Sequence, residues 1–199
     1  MKTYFFIAAI VAGWTTQASA RDFNGPSIGV QAGWQSTDVR LPGESDDVPS
    51  LDQSTDAFVG GAFLAYDYEV MPRVVIGAQA EFNIAASDDF AATGDAANVR
   101  VDPKYAFDLT ARAGYLVTPE TLIYLRGGYS NARVRTSLIT GSKTVSSTAN
   151  LDGWTIGGGA ERIITDHLSA RLEYKYADLG EGSDKFDRHQ VLVGAAYRF

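Results

Sequence analysis

Residues 168–176 read LSARLEYKY, and strict alternation is their pattern. Leu168, Ala170, Leu172, Tyr174 and Tyr176 share one side, while Ser169, Arg171, Glu173 and Lys175 share the other. A two-residue repeat belongs to an extended strand, whose side chains point alternately to opposite faces. The end of the chain repeats the pattern, with Val191, Val193, Ala195, Tyr197 and Phe199 opposite Gln190, Leu192, Gly194, Ala196 and Arg198. So does the stretch in which Phe107, Leu109, Ala111, Ala113 and Tyr115 oppose Asp108, Thr110, Arg112 and Gly114. In a fourth, Val74, Ile76, Ala78, Ala80 and Phe82 oppose Gly77, Gln79 and Glu81. Each strand has one fully apolar face and one face of charged and small residues.

Working outward, eight such segments appear near 26–38, 56–68, 73–85, 104–117, 121–134, 152–164, 167–178 and 188–199. They are rich in Val, Ile, Tyr and Phe, and their interiors lack proline. Short turns at 69–72, 118–120 and 165–166 alternate with long polar segments at 39–55, 86–103, 135–151 and 179–187. Short turns on one side and long loops on the other mark a membrane barrel with an even strand number. The expected fold is all-β, an eight-stranded antiparallel up-and-down transmembrane β-barrel. No repeat of propeller or solenoid length is present.

The chain has 199 residues, no cysteine, 17 basic against 24 acidic side chains and a formal charge of −7. That excludes a disulfide-stapled scaffold, a Cys-ligated metal and a thiol nucleophile. An isoelectric point near 4.8 argues against nucleic acid as a partner. The mean hydropathy of −0.10 hides a segregated pattern. Residues 1–20, MKTYFFIAAIVAGWTTQASA, carry a basic start, an apolar stretch and an A-x-A ending, the pattern of a cleaved signal peptide. Export and cleavage before Arg21 would leave 21–199 as one barrel domain. The apolar stretch is too short for the ~20 residues of a membrane helix. A closed barrel is the other structure that satisfies its own backbone polar groups in lipid.

A soluble barrel around a ligand would show similar alternation with its apolar face inside. Aromatic placement favours the membrane. With the N-terminus in the periplasm, Trp34, Phe58, Phe82, Phe107, Tyr129, Trp154 and Tyr176 fall at outer strand ends. Tyr66, Tyr68, Tyr115, Tyr197 and Phe199 fall at inner ends, so two aromatic girdles flank an apolar band. On the opposite face Glu81, Asp108, Glu161 and Glu173 meet Arg112, Arg126, Arg171 and Lys175, four acids against four bases. Such a set suits a packed, ion-paired lumen, since an eight-stranded interior is just wide enough for side chains to fill.

Several pieces carry a family resemblance: GWTIGGGAE at 153–161, TDHLSARLEYKY at 165–176, and the ending VLVGAAYRF at 191–199. RAGY at 112–115 and RGGY at 126–129 agree with them. Over 21–199 the chain resembles the small outer-membrane β-barrel proteins of alphaproteobacteria, the porin-family or opacity-like surface antigens. The resemblance implies a transmembrane barrel with surface loops and fixes no molecular activity. It also implies that Tyr197 and Phe199 belong to the signal read by the barrel-assembly machinery. Arg162 departs from the pattern; on the lipid face it is expected at the inner interface, snorkelling.

Candidate chemistry is sparse. Two histidines do not supply a multi-His metal site, and no metal or cofactor is expected. His167 and Ser169 resemble the His-x-Ser pair of a lipid A deacylase but lie at a periplasmic turn, where turn residues are expected. His189, at the outer end of the last strand, suits interface packing or contact with haem. Gly157, Gly158 and Gly159 lack the Lys-Ser/Thr of a phosphate loop. Acids crowd three long segments: Glu44, Asp46, Asp47 and Asp52; Asp88, Asp89 and Asp95; Glu181, Asp184 and Asp187. The third segment is basic, with Arg133, Arg135 and Lys143 near or within it. The acids read as hydrated loops or as divalent-cation ligands bridging lipopolysaccharide.

The expectation is a non-enzymatic barrel of the cell outer membrane with a structural and surface-antigen role. Its partners would be outer-membrane lipid, lipopolysaccharide and the barrel-assembly machinery, with no nucleic acid. A small-solute pore is a second reading, and a surface protein whose loops bind haem or a host ligand is a third.

Overall fold

In a computed structural model the chain is described over residues 23–41, 51–86, 90–93, 98–140, 143–179 and 185–199. The expected signal peptide lies outside the described residues, as do Glu44, Asp46, Asp47, Asp88, Asp89, Asp95, Glu181 and Asp184.

The strands are β1 (Gly25–Leu41), β2 (Leu51–Met71), β3 (Val74–Ala86), β4 (Phe90–Thr93), β5 (Asn98–Thr118), β6 (Thr121–Thr140), β7 (Lys143–Ile163), β8 (Leu168–Asp178) and β9 (Lys185–Arg198). Every pairing is antiparallel; β1 pairs with β9 and β3 with β5, so eight strands close into a barrel. The short β4 pairs only with the outer end of β5 and stands outside that ring.

The register gives the barrel its stagger. From Asp38 on β1 the paired residues run Asp187, Asp178, Trp154, Tyr129, Leu109, Ala80, Leu64 and back to β1 at Ile28, ten residues below the start. A shear of ten over eight strands tilts them by about 40° from the barrel axis. Each step round the ring lowers the row by about one and a quarter residues.

Strand parity reads the faces as expected. Leu125 is 70% exposed, Val30 64% and Leu64 59%, while Lys175, Asp108 and Asp67 are fully buried. The strands are longer than the apolar alternation suggests, because pairing continues into the polar segments. Residues 135–151 form a paired hairpin as far as Thr140 and Lys143 rather than an open loop, and 86–103 contains β4 and the start of β5. Asp52 and Asp187 accordingly belong to strands, not loops. Pro103 also lies inside a strand, at a bulge where the β5–β6 register shifts.

Turn chemistry sets the inner rim. Pro72 and Arg73 join β2 to β3, Arg73 takes φ 69°, and its N–H donates to Glu69 Oε1 at 2.7 Å. Proline first and a left-handed residue second make a type II turn. Two small apolar clusters cap the interior. Phe23, Val75, Leu116, Leu122, Tyr124 and Ile163 pack at the inner end, and Ala106, Ala132, Leu179 and Phe186 at the outer end.

Candidate functional site

All eight charged residues singled out by parity lie buried inside the barrel. Near the inner end four side chains form a closed ring. Arg112 donates through Nε to Asp67 Oδ1 at 2.6 Å and through Nη1 to Glu161 Oε2 at 3.1 Å. Arg198 completes it, donating to Glu161 Oε1 at 2.8 Å and Asp67 Oδ2 at 3.0 Å. Two acids and two bases thus balance, with Ser169 Oγ donating to Glu161 at 2.7 Å.

Nearer the outer end the pairs form a chain. Tyr124 donates to Glu173 Oε2 at 2.6 Å, and Arg126 Nη2 lies 3.1 Å from Glu173 and 2.8 Å from Glu81. Lys175 bridges Glu81 and Asp108, at 2.6 Å from the latter. Arg188 ends the chain 3.7 Å from Asp108 and donates to Ser130 Oγ at 3.1 Å. Burying an isolated ion costs several kcal/mol, so these groups are tolerable because each carboxylate lies within 4 Å of a cation, and all but Glu173 accept from two or more donors.

The expected four-against-four set is corrected in two ways. Asp67, Arg188 and Arg198 join it, giving five acids and six bases among the described buried residues. The described ion pairs do not include Arg171. Its guanidinium donates to Gln79 Oε1 at 2.9 Å and to Gln31, and its Cζ lies 3.4 Å from the centre of the Phe63 ring. Gln79 in turn donates to Glu81 Oε2 at 2.9 Å, and Gln31 to Asn83 Oδ1 at 2.7 Å. Amides therefore tie the sixth cation to the carboxylate chain. Asp67 and Arg198 were legible on the inward parity of their strands; Phe23, beneath Arg198 at 4.6 Å, was not.

Little space is seen among the described inward side chains. A void of about 20 Å³ remains at the outer end, lined by Gln35, Asn83, Phe186 and Arg188. That is room for roughly one water.

Outside, the shear aligns the aromatics. Corrected for the fall of each row, Trp34, Phe58, Phe82, Phe107, Tyr129, Trp154 and Tyr176 stand within about 4 Å of one height. All are exposed or half-buried on the outward face. His189 takes the same place on β9, its ring 5.0 Å from Tyr176 and its Nδ1 2.7 Å from the Tyr174 hydroxyl. Tyr66, Tyr68, Tyr115, Tyr197 and Phe199 form the inner set, about 20 Å below, with outward-facing Arg162 among them.

The His167–Ser169 pair is split by the wall. Ser169 is buried on Glu161, whereas His167 is outside, stacked 5.3 Å from Tyr197 with Nδ1 3.1 Å from the Arg198 carbonyl. No hydrogen bond joins base to nucleophile, which acyl chemistry requires. Among the described residues no group of three or more acidic or histidine side chains is placed to hold a metal.

The sequence pattern of the family described as "Outer membrane protein beta-barrel domain" matches residues 5–199. The 31 kDa outer-membrane immunogenic protein of Brucella melitensis biotype 1 is 27% identical, over 97% of this chain and 98% of its own length. The 22 kDa outer membrane protein of Rhizobium leguminosarum bv. viciae is 26% identical, over 74% of this chain and 69% of its own. Among solved structures, Ail, the attachment invasion locus protein of Yersinia pestis, superposes with a TM-score of 0.52 at 15% identity, covering 88% of this chain and 99% of that one.

Proposed function

This chain belongs to the outer membrane protein β-barrel family, and from that premise we propose that it is a non-enzymatic surface protein whose filled barrel conducts no solutes. It is a protein of the cell outer membrane, like the Brucella and Rhizobium relatives whose names say so. The observation that carries the reading is the interior itself. Two balanced sets of buried ion pairs, an amide-held Arg171 and two apolar caps occupy it, and a void at the outer end holds about 20 Å³. An ion would have to break several charge-assisted hydrogen bonds to pass.

The exterior supports the same assignment. Two aromatic levels about 20 Å apart fit the ~25 Å apolar band of a membrane barrel. The absence of a joined base and nucleophile at His167 and Ser169 favours structure over catalysis. Function then resides in contacts that the outer end of the barrel makes with lipopolysaccharide or with other surfaces. The relatives named as immunogenic proteins favour that surface role.

Planar-bilayer recording of the folded protein tests this reading. The expected record shows no stable conductance steps; large, long-lived steps would establish the small-solute pore instead.

A further inference from the structure

The strands rise to different heights above the outer aromatic level, and one flank is left open. β7 has 21 residues and β8 only 11. Their pairing ends at Trp154 and Asp178, where β8 turns back into β9. β7 extends outward from Gly153 to Lys143, about 25–30 Å above the aromatic level, paired on one side with β6. Among the described residues nothing pairs with its other edge. By contrast β1 and β6 are paired on both sides almost to their outer ends. Every second residue of an open edge turns both its N–H and its C=O to the free side.

Proteins blunt free edges with charges and prolines, because an unguarded one templates another strand. A shorter open edge on β2, from Leu51 to Ala57 above its pairing with β3, carries Asp52 and Asp56. The outer part of β5 carries Arg100, Asp102 and Pro103. Residues 144–151 of β7, TVSSTANL, hold no charge and no proline. The longest open edge among the described strands is thus the unguarded one. Its foot is acidic. Asp152 on β7, Asp178 on β8, Asp187 on β9 and Asp38 on β1 face outward on successive strands, within about 6 Å of one height. Asp178, Asp187 and Asp38 are direct cross-strand partners, an arrangement in which like charges repel.

We propose, resting on the surface role above, that the open edge of β7 takes up an extended basic segment of another protein outside the cell, as an added strand. The edge supplies main-chain hydrogen bonds, and Lys or Arg at alternate positions of the incoming strand meets the aspartates at its foot. Two other occupants are disfavoured. A second copy upright in the same membrane presents its strands crossed at about 80°, twice the tilt, and no ladder forms at that angle. The chain's own segments at this end that lie outside the described residues, 42–50, 87–89, 94–97, 141–142 and 180–184, contain no basic residue. They would add to the repulsion of the aspartate row rather than relieve it.

The probe is a fluorescent peptide, Thr-Lys-Val-Lys-Thr-Lys-Val-Lys-Thr with blocked ends, titrated into the folded protein in nanodiscs of zwitterionic lipid and followed by anisotropy. Saturable binding is expected. Replacing every Lys by Glu should weaken it more than tenfold. Methylating the backbone nitrogens at odd positions only, or at even positions only, separates the ladder from the charge. One set should weaken binding more than tenfold and the other less than threefold, because alternate N–H groups face β7. Asp178→Asn/Asp187→Asn should cost about two- to fivefold, with the heat-dependent gel shift of a folded barrel as the control for assembly. No saturable binding would overturn the proposal. Equal binding of both methylated peptides would overturn it too, by showing attraction to the aspartates without a strand. Conductance is a separate readout: binding to a conducting barrel would fail the closed-barrel reading alone, and a silent barrel without binding would fail the added strand alone.

Discussion

Arg171 donates to Oε1 of Gln79 at 2.9 Å, linking β8 to β3 across the barrel without a carboxylate. Arg112, two of whose nitrogens donate to Asp67, is held differently. The distinction sets the cost of losing each. Arg171→Ala leaves two amide oxygens short of a donor and should cost about 1–3 kcal/mol. Arg112→Ala strands buried Asp67 and Glu161 and should cost about 3–5 kcal/mol. Urea unfolding in lipid vesicles, followed by tryptophan fluorescence, ranks the two; equal losses would refute the distinction.

Phe23 is fully buried in the inner apolar cluster and lies under the Arg198 guanidinium. Truncating it to alanine opens a cavity beneath the ionic ring. The expected loss is about 3–5 kcal/mol, read as a lower urea midpoint with the strand content unchanged by circular dichroism.

Phe199 is 55% exposed and packs edge-on to Tyr197 at 5.0 Å. Its deletion removes a half-covered ring and the bond that its N–H donates to the Pro26 carbonyl at 3.2 Å, so the stability of protein refolded in vitro should fall by only about 1–2 kcal/mol. Yield in the outer membrane should nevertheless fall while export continues, if the ending is an assembly signal. Normal yield would count against that role.

Arg73 holds φ 69° in the β2–β3 turn. A side chain there pays about 1–2 kcal/mol that glycine avoids, less the extra freedom glycine has when unfolded. The bond to Glu69 Oε1 comes from the backbone N–H and survives the change. Arg73→Gly should therefore raise stability by about 0.5–1 kcal/mol, seen as a higher urea midpoint.

His189 stands at the aromatic level of the other seven strands and shares its hydrogen bond with Tyr174. If interface packing is its role, His189→Phe should hold stability within about 1.5 kcal/mol. Haem titration followed by absorbance should not distinguish the variant from the natural protein. A haem signal present only with His189 would give that residue a binding role.

Much of the fold was legible because the pleat is local. Leu172 and Glu173 must point to opposite faces whatever they pair with, so parity alone sorted apolar from charged positions on the four strands whose two faces alternate most strictly. The limits of the strands were less legible. Thr144 and Thr148 belong to a polar stretch with no apolar face, yet they pair with Ile139 and Arg135 because the hairpin simply continues. Backbone pairing beyond an apolar band leaves no alternation to read.

The interior contacts were legible only in part. Lys175 meets Glu81 from 94 positions away, and Arg171 meets Gln31 from 140. Nothing in the order of residues says which inward side chains share a height.

The sequence by itself determined the number of strands in the ring, the inward and outward faces, eight of the eleven described buried charges and the membrane setting. These follow from a two-residue period and from what lipid demands of a backbone. Only the tertiary structure decided that Arg171 answers to amides and that Asp67 and Arg198 close a ring. The reason is the shear: a ten-residue stagger fixes which rows coincide, and it exists only once β1 has closed on β9.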